Sequence, residues 1–281
     1  PYANAESFET VLKIVNNARA NEGMQLGIDT FPDVWGPGMV VALLPPWVYE
    51  GKQKDVLKRL ADPEIINMCR DYFNDPTNYL LRLGGLEMFY LSSSIAHPEL
   101  VGKNFVEIAE ALGCDPIEGI FKLVLADGAD FYNVMLRHIF ANRQDLNLLL
   151  TDPYCSIESD GVVTAIDGVL SNFIMNRSSF CYTIRFLEEY VFNQKMFSLE
   201  EAIRKMTSLP ADSAGLSKRG RIAPGMTADL VILDPKNLSD KSTDEKPNAY
   251  PSGIETVIVN GGIVLNHGQR TNDLPGRLAK L

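Results

Sequence analysis

The residues with the most chemical content are Glu158-Ser159-Asp160-Gly161, which follow the apolar run Leu148-Leu149-Leu150. A parallel α/β architecture does its chemistry at the C-terminal ends of its strands, where one carboxylate on a short turn reaches the substrate. Asp160 is therefore the first candidate for a catalytic acid or base. Asp-Gly is also an ordinary turn dipeptide, so the surrounding elements must decide between the two readings.

Asp29-Thr30-Phe31-Pro32-Asp33 and Trp35 form a second group. Asp29, Asp33 and Trp35 could line a pocket, although turn capping and local packing employ the same residue types. The only histidines are His97, His138 and His267. His97 precedes Pro98 and reads as a loop residue within reach of substrate; His138 falls in a helix-like stretch, residues 133–140; His267 stands beside Gly268 in a turn. None belongs to an H-x-H pair, and none is a persuasive metal ligand. Lys218, Arg219 and Arg221 read as a solvated basic loop.

These groups need positioning elements. Phe8, Val11, Leu12, Ile14, Val15 and Ala18 follow helical spacing over 7–20, with Gly23 as the stop. A short strand is expected at 24–28 and a loop at 35–38. Pro45-Pro46-Trp47 reads as a turn. Helices are expected at 52–60, 63–73 (with Asp62 as N-cap), 106–112, 117–125 and 198–206, and strands at 84–94 and 146–150. Strands alternating with helices in this half imply parallel α/β structure. Beyond Met206 come short β-branched runs at 228–234, 256–260 and 263–265, with a hairpin signal at Asn260-Gly261-Gly262 and an exposed loop over 236–251.

With 281 residues, 46% of them hydrophobic and 22% charged, the chain can bury a sizeable core in one large domain or two smaller ones. A formal charge of -10 argues against a nucleic-acid groove or an anionic membrane surface, both of which need clustered Lys and Arg. Small-molecule partners are expected, with no nucleic acid and no membrane. Cys69, Cys114, Cys155 and Cys181 are widely spaced, which suits a reducing compartment and buried apolar roles. No run approaches the roughly 18 to 20 apolar residues of a membrane span, and no basic segment precedes an apolar leader, so a cytoplasmic protein is expected. The sequence opens on Pro1, directly before a helix pattern, as a processed or truncated piece would.

Two sets of motifs carry a resemblance. Lys205-Met206-Thr207, Pro210-Ala211, Gly215-Leu216, Arg219-Gly220-Arg221-Ile222, Pro224-Gly225-Met226 and Ala228-Asp229-Leu230-Val231-Ile232 resemble the ending of metal-dependent amidohydrolases. Within that superfamily, Asp29-Thr30-Phe31-Pro32, Leu44-Pro45-Pro46-Trp47, Arg59-Leu60-Ala61-Asp62-Pro63, His97-Pro98-Glu99-Leu100-Val101-Gly102 and Ser159-Asp160-Gly161 resemble the N-acyl-D-amino-acid deacylases, the D-aminoacylase family. The similarity runs through nearly the whole chain.

The resemblance implies an α/β fold: the C-terminal part of a (β/α)8 TIM-type barrel with an inserted helical region over 1–206, then C-terminal strands of a small β-sandwich over 207–281. It implies deacylation of N-acyl-D-amino acids, with this chain as the C-terminal portion of the enzyme. Zinc is implied for the complete enzyme; the family's H-x-H pair, bridging cysteine and two further histidines have no match here, so tight binding by this chain alone is not expected. Asp160 matches the family's eighth-strand aspartate, which contacts metal and carries the proton. Zinc lowers the pKa of bound water from about 15.7 to about 7, and a neighbouring carboxylate can take the water's proton and pass it to the departing amine.

Phe31 stands where the family commonly has tyrosine, and Pro37 where it has a small hydroxyl residue. Each change removes a polar contact worth about 1 to 3 kcal/mol if buried against substrate. Phe31, Trp35 and His97 are the substrate-binding candidates. Two other readings stand beside the deacylase: a noncatalytic binding or assembly module, and an amidohydrolase acting on a cyclic amide such as a hydantoin or dihydropyrimidine. An open half-barrel would expose strand edges and apolar faces, so association with the N-terminal half of the barrel or with itself is expected. A strictly monomeric, well-dispersed species in sedimentation velocity would contradict it.

Overall fold

A computed structural model describes residues 8–75, 78, 84–161, 163–172, 177–243 and 246–279; Pro1 and Ser7 lie outside the described residues. The opening helical pattern forms α1 (Phe8–Asn21), with Glu9 in the first turn and Arg19 in the last, each on the favourable side of the helix dipole. Arg19 also tethers α1 to two later segments of the chain. Its Nε donates to the Leu26 carbonyl (2.8 Å), and its Nη1 meets the Asp152 carboxylate at 2.7 Å.

Strand β1 (Ile28–Thr30) pairs in parallel with β5 (Cys155–Ile157), Ile28 opposite Cys155 and Thr30 opposite Ile157. The ladder continues beyond both ends, the Ile28 amide donating to the Tyr154 carbonyl and the Glu158 amide to the Thr30 carbonyl, each at 3.1 Å. The strand expected at 24–28 therefore begins only at Ile28, where β5 and its approach offer backbone partners; Met24 is left exposed.

The chain between β1 and β5 builds its own sheet and core. Strands β2 (Trp35–Met39), β3 (Phe89–Ser93) and β4 (Met135–Ile139) form an antiparallel sheet in the order β2-β4-β3. Two expectations are corrected here. The 35–38 loop is a strand, and the helix-like 133–140 stretch contains one. Pro37 is tolerated because β2 lies at the sheet edge. Gly36 and Gly38 face the partner strand so closely that a Cβ would sit 3.1 Å from the rings of His138 and Phe140 or from Leu136. Among the described residues of this half, parallel pairing is thus confined to β1 and β5, and β2, β3 and β4 are antiparallel.

Against this sheet pack α2 (Pro46–Tyr49), α3 (Gln53–Leu60), α4 (Pro63–Asn74), α5 (Phe105–Leu112) and α6 (Pro116–Ala126). Pro45-Pro46-Trp47, expected as a turn, opens α2, where proline suits the first helical position. Their starts obey local capping chemistry: the Asp62 side chain accepts from the Glu64 amide, and Asn104 and Glu107 form a reciprocal capping box. Val40, Val41, Leu60, Phe105, Phe121 and Phe131 fill the core between helices and sheet.

Residues 146–150, expected as a strand, lie instead in α7 (Arg143–Thr151). The Asn142 side chain caps its start through the Asp145 amide (2.9 Å), and Leu146 and Leu150 are buried one helical turn apart. The strand that precedes Asp160 is β5.

Past Asp160, α8 (Ser178–Phe186) runs on as a π-helix over Leu187–Asn193, followed by α9 (Leu199–Met206) and α10 (Ser208–Ser213). Strands β6 (Leu230–Leu233), β7 (Ile254–Val259), β8 (Gly262–Asn266) and β9 (Gln269–Arg270) form an antiparallel sheet in chain order. Asn260 and Gly261 both have positive φ (+48° and +83°), as a two-residue type I′ hairpin demands. His267 (φ +48°) and Gly268 repeat the device before β9. The 236–251 segment is less exposed than expected: Leu238 and Ser242 are buried, and Glu188 accepts from the Asp240 amide (2.8 Å). No helix of the described residues is long and apolar enough to cross a membrane.

Lys205, on α9, is fully buried. Its ammonium donates to the carbonyls of Asp152 (2.6 Å) and Cys155 (3.2 Å), at the entrance to β5. Burial holds its pKa below the ordinary lysine range. Charge-assisted hydrogen bonds of this kind contribute about 1.5 to 3 kcal/mol. Lys205→Met should lower unfolding free energy by about that amount, read as a lower urea midpoint with an unchanged m-value.

Candidate active site at the strand ends

The parallel pair β1·β5 brings two loops side by side at its C-terminal end. One carries Phe31 and Asp33, the other Glu158, Ser159 and Asp160. Asp160 is exposed and adopts a left-handed backbone (φ +44°), a conformation that costs a non-glycine residue about 1 kcal/mol or more. Two side chains hold this turn. The Glu158 carboxylate accepts from the Asp160 amide, and Ser159 Oγ accepts from the Gly161 amide at 3.0 Å. A Cβ on Gly161 would lie 3.0 Å from Ser179 Cα, so glycine lets the turn pass close to α8.

The sequence singles out Glu158 within the motif but assigns it no role, although its spacing two residues before Asp160 is a signal for a side chain that accepts from a nearby backbone amide. It is half-buried, and burial raises its carboxyl above the ordinary glutamate range; the Asp160 amide opposes that shift, and the Asp160 and Asp29 charges reinforce it. The Tyr182 phenol is raised by its own burial and then by the Glu158 charge, which puts Tyr182 in the same electrostatic neighbourhood.

Phe31 is buried, its ring 5.4 Å from that of Phe140. With Asp29, Asp33, Glu158 and apolar residues of α1 and α7 it lines a cavity of about 450 Å³. Asp33 is 3% exposed and is the hub of a second unanticipated feature. Its carboxylate takes Arg185 and, at 3.2 Å, Arg177, and it also accepts the Val34 amide at 2.8 Å. A buried aspartate between two guanidiniums ties the loop after β1 to α8.

Trp35 stands elsewhere, on β2. It meets Tyr90 edge-on at 5.5 Å, and the Arg137 guanidinium lies 4.9 Å from its ring centroid. His97 sits in the loop after β3, its Nδ1 3.0 Å from a Glu99 carboxylate oxygen. That loop is anchored by Asp127, which accepts from Ser94 Oγ (2.6 Å) and the Ile95 amide (2.8 Å). Among the described residues, no hydrogen bond, ion pair or ring contact joins His97 or Trp35 to Phe31 or Asp160. His138 stacks on Phe89 (5.2 Å) inside the antiparallel sheet, and burial holds its pKa below the usual imidazole range. The basic loop is ion-paired: Arg219 with Asp229, and Arg221 with Asp212.

Zinc sites take three or four protein ligands. Among the described residues, no group of three or more His, Cys, Asp or Glu side chains could hold a metal ion. These residues by themselves do not fit a zinc site, and Asp160 is one carboxylate without a partner set here.

The sequence pattern of the amidohydrolase family matches residues 107–265, more than half of the chain. The chain belongs to the amidohydrolase family. This amidohydrolase chain is 31% identical to an N-acyl-D-aspartate deacylase of Alcaligenes xylosoxydans xylosoxydans, over 80% of its own length and 42% of the relative's. It is 32% identical to an N-acyl-D-glutamate deacylase of the same organism, over 66% of its length and 35% of that protein's. Its fold superposes on the crystal structure of N-acyl-D-glutamate deacylase from Bordetella bronchiseptica, complexed with zinc and a phosphonate mimic of the tetrahedral intermediate. The TM-score is 0.70 at 22% identity, covering 100% of this chain and 48% of that one. A D-aminoacylase structure described for its binuclear metal centre gives a TM-score of 0.65 at 25% identity, over 94% and 44% of the two chains. The amidohydrolase chain thus spans less than half the length of these relatives and shares the fold of part of their barrel, as the motif resemblance implied.

Removing the Asp33 carboxylate would take a shared buried acceptor from two largely buried guanidiniums. Breaking a buried pair from one side costs about 3 to 5 kcal/mol. Asp33→Ala should destabilise by that amount in denaturant unfolding, and adding Arg185→Met should cost less than the sum of the two single losses.

Proposed function

We propose that this chain supplies the C-terminal part of the barrel, over 1–206, and the C-terminal strands of the β-sandwich, over 207–281, in an amidohydrolase that deacylates N-acyl-D-amino acids. The observation that carries the reading is Asp160: an exposed carboxylate at the C-terminal end of a parallel strand, on a turn held by two side-chain hydrogen bonds. The names of the relatives support the substrate class.

In this reading water adds to the amide carbonyl carbon, a carboxylate oxygen of Asp160 takes its proton, and the same proton goes to the amine nitrogen as the C–N bond breaks. The products are a carboxylic acid and a free D-amino acid. Proton transfer by a positioned side chain contributes about 10²- to 10⁴-fold in rate. The Phe31 ring offers substrate an apolar wall in place of a phenol, and Trp35 and His97 reach substrate only if loops close over it.

Zinc is the metal of the Bordetella relative, and we assign zinc to the complete enzyme, with Asp160 as this chain's contribution and the other ligands outside the described residues. The N-terminal half of the barrel, or a second copy, is the partner that covers the open edge. Four free cysteines, with burial pushing Cys155 and Cys181 up to about 12 and Cys69 up to about 11, suit a reducing cytoplasm.

The test uses the full-length, metal-loaded protein and a panel of N-acetyl-D-amino acids, with a hydantoin and a dihydropyrimidine beside them. Asp160→Ala should lower kcat by at least about 100-fold with metal content measured alongside. Faster turnover of a cyclic amide would replace the substrate class, and full activity of Asp160→Ala would remove the catalytic role.

A further inference from the structure

Resting on the deacylase reading, we infer that Glu158 is the positioning residue for Asp160. Its carboxylate is the clamp that holds the reactive carboxylate in its left-handed turn. Four observations converge on it. Glu158 is the first residue beyond β5, and its own amide is fixed to the Thr30 carbonyl at 3.1 Å, so its backbone is part of the β1·β5 ladder. Its side chain turns back over the strand end and accepts the amide hydrogen of Asp160 two residues later. Asp160 has φ +44°, in the left-handed region that aspartate tolerates better than most side chains but still at a cost, which a bond to its amide helps to offset. The Glu158 side chain also lines the 450 Å³ cavity beside Phe31 and is half-buried, so its rotamer is limited by packing as well as by the hydrogen bond.

Ser159 does the same for the next amide, accepting from Gly161 at 3.0 Å. The two bonds act in series on one turn, but only the Glu158 bond engages Asp160 itself. Without an acceptor at position 158, the Asp160 amide loses its partner and the residue relaxes toward negative φ. The carboxylate then swings away from the line of the strand. A shift of about 1 Å at a reacting group can cost on the order of 100-fold in rate. Substrate affinity does not depend on this alignment in the same way, so kcat should fall while KM holds.

The experiment compares Glu158→Ala, Glu158→Gln, Asp160→Ala and the Glu158→Ala/Asp160→Ala double variant in the full-length, metal-loaded protein, with rates corrected for the folded fraction. Glu158→Ala should lower kcat by about 10- to 100-fold with KM changed by less than about threefold. Glu158→Gln keeps an acceptor oxygen at the same place and should be at least about fivefold faster than Glu158→Ala. In the Asp160→Ala background the Glu158→Ala change should have no further effect, because it acts only through Asp160. Should Glu158→Ala not fold, Glu158→Met fills the same space without an acceptor and carries the same expectation. A slow Asp160→Ala with a wild-type kcat for Glu158→Ala sinks the positioning role alone. A further loss in the double variant also overturns it. An Asp160→Ala protein with full activity sinks the deacylase role of Asp160 and this inference together.

Discussion

Everything at the candidate site depends on the parallel pairing of Ile28–Thr30 with Cys155–Ile157. These are two three-residue strands, far apart in sequence, and short parallel ladders gain little from their own hydrogen bonds. Their alignment is secured from outside. Arg19 bridges α1 to Asp152, and the buried Lys205 ammonium gathers the carbonyls of Asp152 and Cys155 just where β5 begins. Arg19 holds the Asp152 side chain and Lys205 the backbone carbonyls beside it, so both cations act at the entrance to β5. They set the register that leaves Glu158 and Asp160 beyond the strand end.

The long excursion between the two strands has a sheet and a core of its own. It has a three-stranded antiparallel sheet, capped helices and an apolar core that includes Phe105, Phe121 and Phe131. Closing a long loop costs entropy that grows only slowly with length, so a stretch with its own sheet and core can separate two paired strands at a modest penalty. Asp33 anchors the excursion where it leaves β1. Its buried carboxylate between Arg177 and Arg185 ties the loop after β1 to α8, the helix that also packs against Gly161. The loops bearing Phe31 and Asp160 are therefore fixed to one helix as well as to each other.

Much was legible in the sequence where local chemistry decides the outcome. Asp62 and Asn104 announce helix starts, Asn260-Gly261 announces a hairpin, and those elements form where expected. Asp160-Gly161 was legible as a turn at a strand end. The errors have one cause. Residues 146–150 read as a strand because they are apolar, and residues 35–38 as a loop because they contain glycine and proline; neither cue sees the partner. The first stretch packs Leu146 and Leu150 on one helical face, and the second is an edge strand whose glycines make room for His138 and Leu136.

The sequence by itself determined the family resemblance, the caps, the turns and the identity of the carboxylate at the strand end, because these depend on residues within a few positions of one another. Tertiary structure alone decided that the Glu158 backbone is held on Thr30, that Asp33 is an ion-pair hub instead of a pocket wall only, and that Trp35 and His97 stand in the stretch between β1 and β5, away from Asp160. Those outcomes turn on side chains brought together across long stretches of chain. Burial then sets their charge and hydrogen-bonding requirements, and no local pattern encodes which distant group will arrive to meet them.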